Sequence, residues 1–220
     1  MDLFDIIGPV MIGPSSSHTA GAARIGRVTR SLLGEPLSRA AIALHGSFAK
    51  TWQGHGTDRA VIGGLLDMDV DDTRLRDSLA IAKMEGFSYT FSTAVLRDAH
   101  PNSMLIHATG QNGGQLRVQG ASVGGGRIRI ERLDGLEVNF SGEDDTLIIR
   151  HQDMPGVIAQ STGLIARADV NIAAMRVFRE EAGGNAVMVL ELDALPPGNT
   201  VAALRALSGV DSVTLLERRR

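Results

Sequence analysis

The sequence predicts an α+β protein in two parts. An N-terminal domain, mixed α/β with antiparallel strands, occupies residues 1–142, and a ferredoxin-like βαββαβ domain occupies 146–220. Three observations carry this: apolar residues recur at helical spacing up to about residue 85, the period falls to two from residue 87, and a β-α-β-β-α-β order fills the last 75 or so residues. The polar and acidic break Ser141-Gly142-Glu143-Asp144-Asp145 separates the two.

Residues 2–12, interrupted by Gly8-Pro9, predict a helical turn or an irregular lead-in. Ile25, Val28 and Leu32 then fall at i, i+3 and i+7, with Arg24, Arg27 and Arg30 on another face, which predicts a helix over 19–33 ended by Gly34 and Pro36. Ala40–His45 predicts a short buried strand, with His45 in a structural role. Gly54-His55-Gly56-Thr57-Asp58 leads into an apolar helix from about residue 60, for which Thr57 or Asp58 is a candidate cap. The acidic run at 67–72 lacks the central glycine and terminal glutamate of a calcium loop and predicts a solvated turn before a helix to about 85.

Alternating runs at 87–91, 104–107, 116–118, 128–130 and 136–140 predict antiparallel strands, with hairpin turns at Asn112-Gly113-Gly114 and Asp134-Gly135. Gly120–Gly126 is followed by strand pattern rather than helix, so it predicts a bulged backbone that passes close to another chain or a ligand, not a dinucleotide loop. In the second part, strands are expected at 146–150, 172–179, 186–192 and 210–216. Helices are expected after Pro155-Gly156, with Val157, Ile158, Leu164 and Ile165 on the apolar face, and over 201–207. A sheet covered by two helices on one face leaves the other face open for a second copy or another domain.

Candidate chemistry concentrates at Gly13-Pro14-Ser15-Ser16-Ser17-His18-Thr19. Hydroxyls and unpaired N–H groups at a helix start can cradle a carboxylate or a phosphate, since orphan donors and the positive end of the dipole converge there. A simple N-cap needs one hydroxyl, and this loop offers four around one imidazole. Ser15, Ser16, Ser17 and Thr19 are therefore candidate substrate-binding groups. His18 and His55 are candidates for proton transfer near neutral pH, with Thr57 and Asp58 beside the second; Asp58 either orients His55 or caps the helix.

Composition narrows the alternatives. The net charge is −3 and only Arg218-Arg219-Arg220 forms a basic run, so nucleic acid is not an expected partner. No stretch approaches the ~20 apolar residues of a membrane span, and the acidic N-terminus lacks a signal-peptide pattern, which leads to the expectation of a cytoplasmic protein with no membrane association. The chain has no cysteine, so it brings no thiol nucleophile and no thiolate ligand for zinc or an iron–sulfur cluster.

Several segments resemble the beta chain of the iron–sulfur-dependent L-serine dehydratases: Leu3–Pro9, Ile12–Gly21, Gly46–Thr51, Gly54–Asp58, His100–Asn102 and Ser122–Gly126. The chain from 146 onward is similar to an ACT domain, with Asp153–Val157 as its strand-to-helix turn. The resemblance implies conversion of L-serine to pyruvate and ammonia on a 4Fe–4S cluster whose open iron accepts the substrate hydroxyl. With no cysteine here, it implies that a separate cysteine-bearing alpha chain holds the cluster and that this chain supplies substrate-binding and proton-transfer groups. For the ACT portion it implies self-association, or amino-acid sensing with the ligand held by backbone around Asp153–Val157 and by Asn171 from a neighbouring copy. The alternatives are a non-catalytic amino-acid-binding regulatory module and an anion-binding domain for phosphate metabolites. The second is weakened by the absence of a lysine in the serine-rich loop.

Overall fold

Directly after Pro14 and Ser15 the chain turns into helix at Ser16. The structure is a computed structural model that describes residues 11–218. The lead-in expected at 2–12 and the basic tail at 218–220 thus lie almost wholly outside the described residues.

A wide π-helical turn over Ser16–Ala20 continues into α1 (Gly21–Leu33), which stops at Gly34, a residue in the left-handed conformation that only glycine adopts cheaply. The other described elements of the first unit are β1 (Leu37–Leu44), α2 (Gly46–Thr51), α3 (Thr57–Leu65), α4 (Ser78–Met84), β2 (Ser88–Thr93), β3 (Ser103–Gly110), β4 (Gln115–Gly124) and β5 (Arg127–Leu133). A 3₁₀ turn at Thr73–Asp77 precedes α4, capped by Asp72, which also pairs with Arg74. The acidic run before it is tied down rather than merely solvated, since Asp69 accepts from Arg27 of α1 at 2.6 Å.

The strands of this unit form one sheet in the order β2-β1-β3-β4-β5, and β6 (Leu136–Phe140) follows in the chain. Two expectations change. The strand expected at 40–45 starts at Leu37 and is half-buried rather than buried, with Leu37, Ala40, Ile42 and Leu44 inward and Arg39 and Ala41 exposed. The strand expected at 87–91 does not join an antiparallel set: β2 runs parallel to β1, because α2, α3 and α4 lie between them and give the chain length enough to cross over. The other described pairs, β1–β3, β3–β4 and β4–β5, are antiparallel, the last two as hairpins, and β4 carries register shifts at Gln119/Gly120 and Ser122/Gly124, where the glycine-rich stretch suggested a bulge.

Helix α1 packs on this sheet and on α3. At Gly120 an added Cβ would overlap Ile25 of α1, so the bulged strand and the helix touch directly. Closer still, a Cβ at Gly26 would run into the carbonyl of Val61, and one at Gly64 into the carbonyl of Ala23, so α1 and α3 cross backbone to backbone.

Contacts divide the chain into two compact units, Met1–Gly135 and Leu136–Arg220. The second unit contains β6, β7 (Asp145–Gln152), α5 (Val157–Arg167), β8 (Ile172–Arg179), β9 (Asn185–Leu192), α6 (Gly198–Arg205) and β10 (Val210–Leu216). The polar break at 141–145 joins β6 to β7. Its four-stranded antiparallel sheet has the order β10-β7-β9-β8. Leu147, Ile149, Met188, Leu190 and Val213 bury one sheet face against Ile165 of α5 and Val201 and Leu204 of α6. The inward face of α5 is Val157, Ser161 and Ile165, at i, i+4 and i+8, which turns Ile158 outward, contrary to its expected place on the apolar face. Helix α6 starts three residues earlier than expected, because Pro197 opens it.

Alanine in place of a helical glycine ordinarily stabilises a protein by up to about 1 kcal/mol. Gly64→Ala should instead destabilise by about 1–3 kcal/mol or more, because the methyl meets main chain that cannot yield. Gly163→Ala in α5, where the nearest atom is the flexible Arg167 side chain at 3.6 Å, should raise the melting temperature slightly. Thermal unfolding of both variants of the full chain checks the contrast; equal shifts would contradict the helix crossing.

Candidate active site

His18 is fixed by three segments far apart in sequence. Its backbone N–H donates to the Oγ of Ser15, which adopts extended geometry as the N-cap of the π turn, at 3.2 Å. Its Nε2 lies 3.2 Å from the Oγ of Ser47, in the first turn of α2. Its ring meets Phe48 and His55 edge to face, with centroids 5.2 and 4.8 Å apart. Thr19, buried beside it, donates from Oγ1 to the His55 carbonyl at 3.1 Å. The wide π turn thus aims two successive side chains, His18 and Thr19, at two different loops.

The neighbouring backbone closes the site. Gly46, with positive φ, turns the chain from β1 into α2 against Pro101, and the Ser47 N–H donates to the Pro101 carbonyl at 2.7 Å. The Ser122 N–H donates to the Asn102 carbonyl at 2.9 Å, and the Ser122 side chain sits where a Cβ on Gly21 would be, so that glycine is required at the start of α1. Segments 13–19, 45–48, 54–57, 100–103 and 121–122 therefore meet at one place.

Polar atoms are left unpaired here. His55 Nδ1, Thr57 Oγ1, Asn102 Oδ1, Ser103 Oγ and Ser122 Oγ are buried and have no hydrogen-bond partner, each at a cost of about 1–3 kcal/mol. The charge state of His18 is biased as well. Burial first, then the adjacent His55, holds its imidazole below the ordinary value, against a hydrogen bond at Ser47 that raises it.

Of the residues singled out in the sequence, His18 and His55 come into ring contact, Ser15 caps the turn, and Thr19 and Thr57 are buried at the site. Ser16 and Ser17 lie half-buried in the first turn, ahead of the first backbone bond from the Thr19 N–H to the Ser15 carbonyl. Asp58 sits in the first turn of α3 and makes no side-chain cap bond. Ser47 and Phe48, which touch His18, were missed, although a small hydroxyl after a strand and a glycine, at a helix start, was the available signal. His45 is structural as expected: its Nδ1 accepts from the Leu96 N–H at 3.2 Å.

The segments that meet here are among those that carried the resemblance, of which Leu3–Pro9 lies outside the described residues, and comparison with known proteins agrees. The serine dehydratase beta chain family matches residues 1–85, and the ACT domain family matches 146–209. A probable L-serine dehydratase beta chain of Bacillus subtilis is 43% identical over 96% of both chains. The chain belongs to the L-serine dehydratase beta-chain family. The L-serine dehydratase beta chain of Peptoniphilus asaccharolyticus is 38% identical over 86% of both chains. An L-serine dehydratase of Helicobacter pylori is 32% identical over 60% of this chain but only 33% of its own length.

As a member of that family the chain lacks two things. It has no cysteine, and among the described residues no group of His, Asp and Glu is arranged to hold a metal ion. Its donor set does not fit an iron–sulfur cluster. Among the described residues no helix is long and apolar enough to cross a membrane.

The lowered His18 value has a measurable sign. In the folded chain its imidazole should titrate below the free-imidazole value, so the neutral form prevails at pH 7. As pH falls below the unfolded value, the depressed group costs stability. In His55→Ala the His18 midpoint, followed by NMR, should move up, since one of the two causes is gone; an unmoved midpoint would contradict the pairing.

Proposed function

We propose that this chain is the beta subunit of a two-chain L-serine dehydratase, supplying the carboxylate cradle and the proton-transfer groups, while a cysteine-bearing alpha chain holds the 4Fe–4S cluster. The observation that carries the reading is the convergence of His18, His55 and the serine turn on one site in a chain with no thiolate.

Deamination of serine removes a proton from Cα and hydroxide from Cβ. The resulting enamine then gives pyruvate and ammonia. The share of this chain is the first task and the anchoring of the substrate. The Ser16 and Ser17 amides precede the first backbone bond of the helix, so they remain donors for the substrate carboxylate, with the surrounding hydroxyls adding to them. A neutral His18, kept neutral by burial and by His55, can accept the Cα proton or pass it on, and Ser47 orients its Nε2. His55 is the second candidate, and Thr57 and Asp58 stand at its helix start. The unpaired Asn102, Ser103 and Ser122 atoms support the reading of an incomplete ligand shell, to be filled by substrate and the partner chain.

For the second unit the reading is self-association. Strand β8 is a sheet edge with Met175 46% and Val177 36% exposed, an apolar edge that a second copy could cover. The groups suited to sensing are already engaged within the chain. Asp153 accepts from Arg179 and from the Gly183 N–H, and Asn171 donates to Asp193.

Reconstitution tests the reading. The chain mixed anaerobically with its cluster-bearing partner should form pyruvate from serine, and neither chain should do so alone. His18→Ala should lower kcat by about 10²–10⁴-fold if it moves the proton. His55→Ala at normal turnover would remove His55 from the catalytic set. Serine binding by this chain alone, with no turnover in the mixture, would favour the regulatory-module alternative.

A further inference from the structure

We propose that the outer face of the first unit's sheet carries a phosphate-binding site, formed by Arg39, His107 and Arg117 on three adjacent strands.

The register places these groups together. On β1, β3 and β4 the residues Ala40, Ile42, Ile106, Ala108, Leu116 and Val118 are buried, so the alternate residues Arg39, His107, Thr109, Gln115 and Arg117 share the opposite, outer face. His107 stands directly across from Arg117, Thr109 across from Gln115, and Arg39 across from Thr109, one pleat from His107. The two guanidinium groups thus stand on strands either side of His107, on the same outer face, and give that patch a positive charge.

A cavity is present at that point. It is open to solvent, with a volume of about 230 Å³, and its lining includes Arg39, His107, Thr109, Gln115, Arg117 and Asp134. Two guanidinium groups and an imidazole face a single carboxylate, and Asp134 already accepts the Arg117 backbone N–H at 2.7 Å. The donors are of the kind that phosphate takes: forked guanidinium groups, a hydroxyl and an amide, side by side on one face of three adjacent strands.

The site is separate from the candidate active site. Arg39 is six residues from His45 along the strand, about 20 Å at strand rise, and it faces away from the helices. Partial burial and the adjacent Arg117 hold the His107 imidazole below its ordinary value, so a bound dianion should draw it back up.

Titration calorimetry of the full chain tests this, with inorganic phosphate and glycerol 3-phosphate as separate probes at constant ionic strength against chloride. Saturable one-site binding of either probe is expected, weakened about tenfold or more in Arg39→Gln and in Arg117→Gln. Preference for glycerol 3-phosphate would mark a monoester site, and equal binding a site for phosphate itself. In the same solutions the NMR titration midpoint of His107 should rise with phosphate and not with chloride. Heats no different from chloride, or variants that bind like the parent chain, would overturn the proposal.

Discussion

The geometry of the candidate site depends on how closely α1 and α3 cross. Gly26 and Gly64 leave no side chain between the helices, and carbonyls of each lie where a methyl of the other would be. Helix α1 carries the turn that bears His18 and Thr19, and α3 follows directly from the loop that bears His55. A gap of one methyl group between the helices would act on the Thr19 bond to the His55 carbonyl and on the 4.8 Å ring contact together.

Around that crossing the site is under-satisfied. A folded interior normally pairs its buried polar atoms, yet five unpaired ones gather beside His18. Burial disfavours the charged form of His18, and the adjacent His55 adds to this. The outcome is a neutral His18 imidazole in ring contact with His55, in a part of the fold that leaves buried polar atoms unpaired. The second unit differs: its apolar core is closed under two helices, and its polar surface groups Asp153 and Asn171 already have partners.

The two halves of the chain were legible to different degrees. The βαββαβ order is local, each element being marked by its own period and turn, so the second unit follows the pattern apart from Ile158 and the start of α6. The first unit is not local. That β2 runs parallel to β1 depends on where three intervening helices pack, which no alternation within residues 88–93 records. The arginines of β1 and β4 and the histidine of β3 likewise read as ordinary exposed positions until register sets them side by side.

By itself the sequence determined the two-part α+β plan, the serine-rich turn at a helix start, the pair of candidate histidines and, through the absence of cysteine, that a cluster needs another chain. Those are matters of period, residue type and count. Only the tertiary structure decided that His18 meets His55, that Ser47 and Phe48 complete its surroundings, and that Gly21, Gly26 and Gly64 are sites of backbone contact. The reason is physical: a period shows which side of an element is apolar, whereas which side chains touch is set by packing between elements distant in the chain.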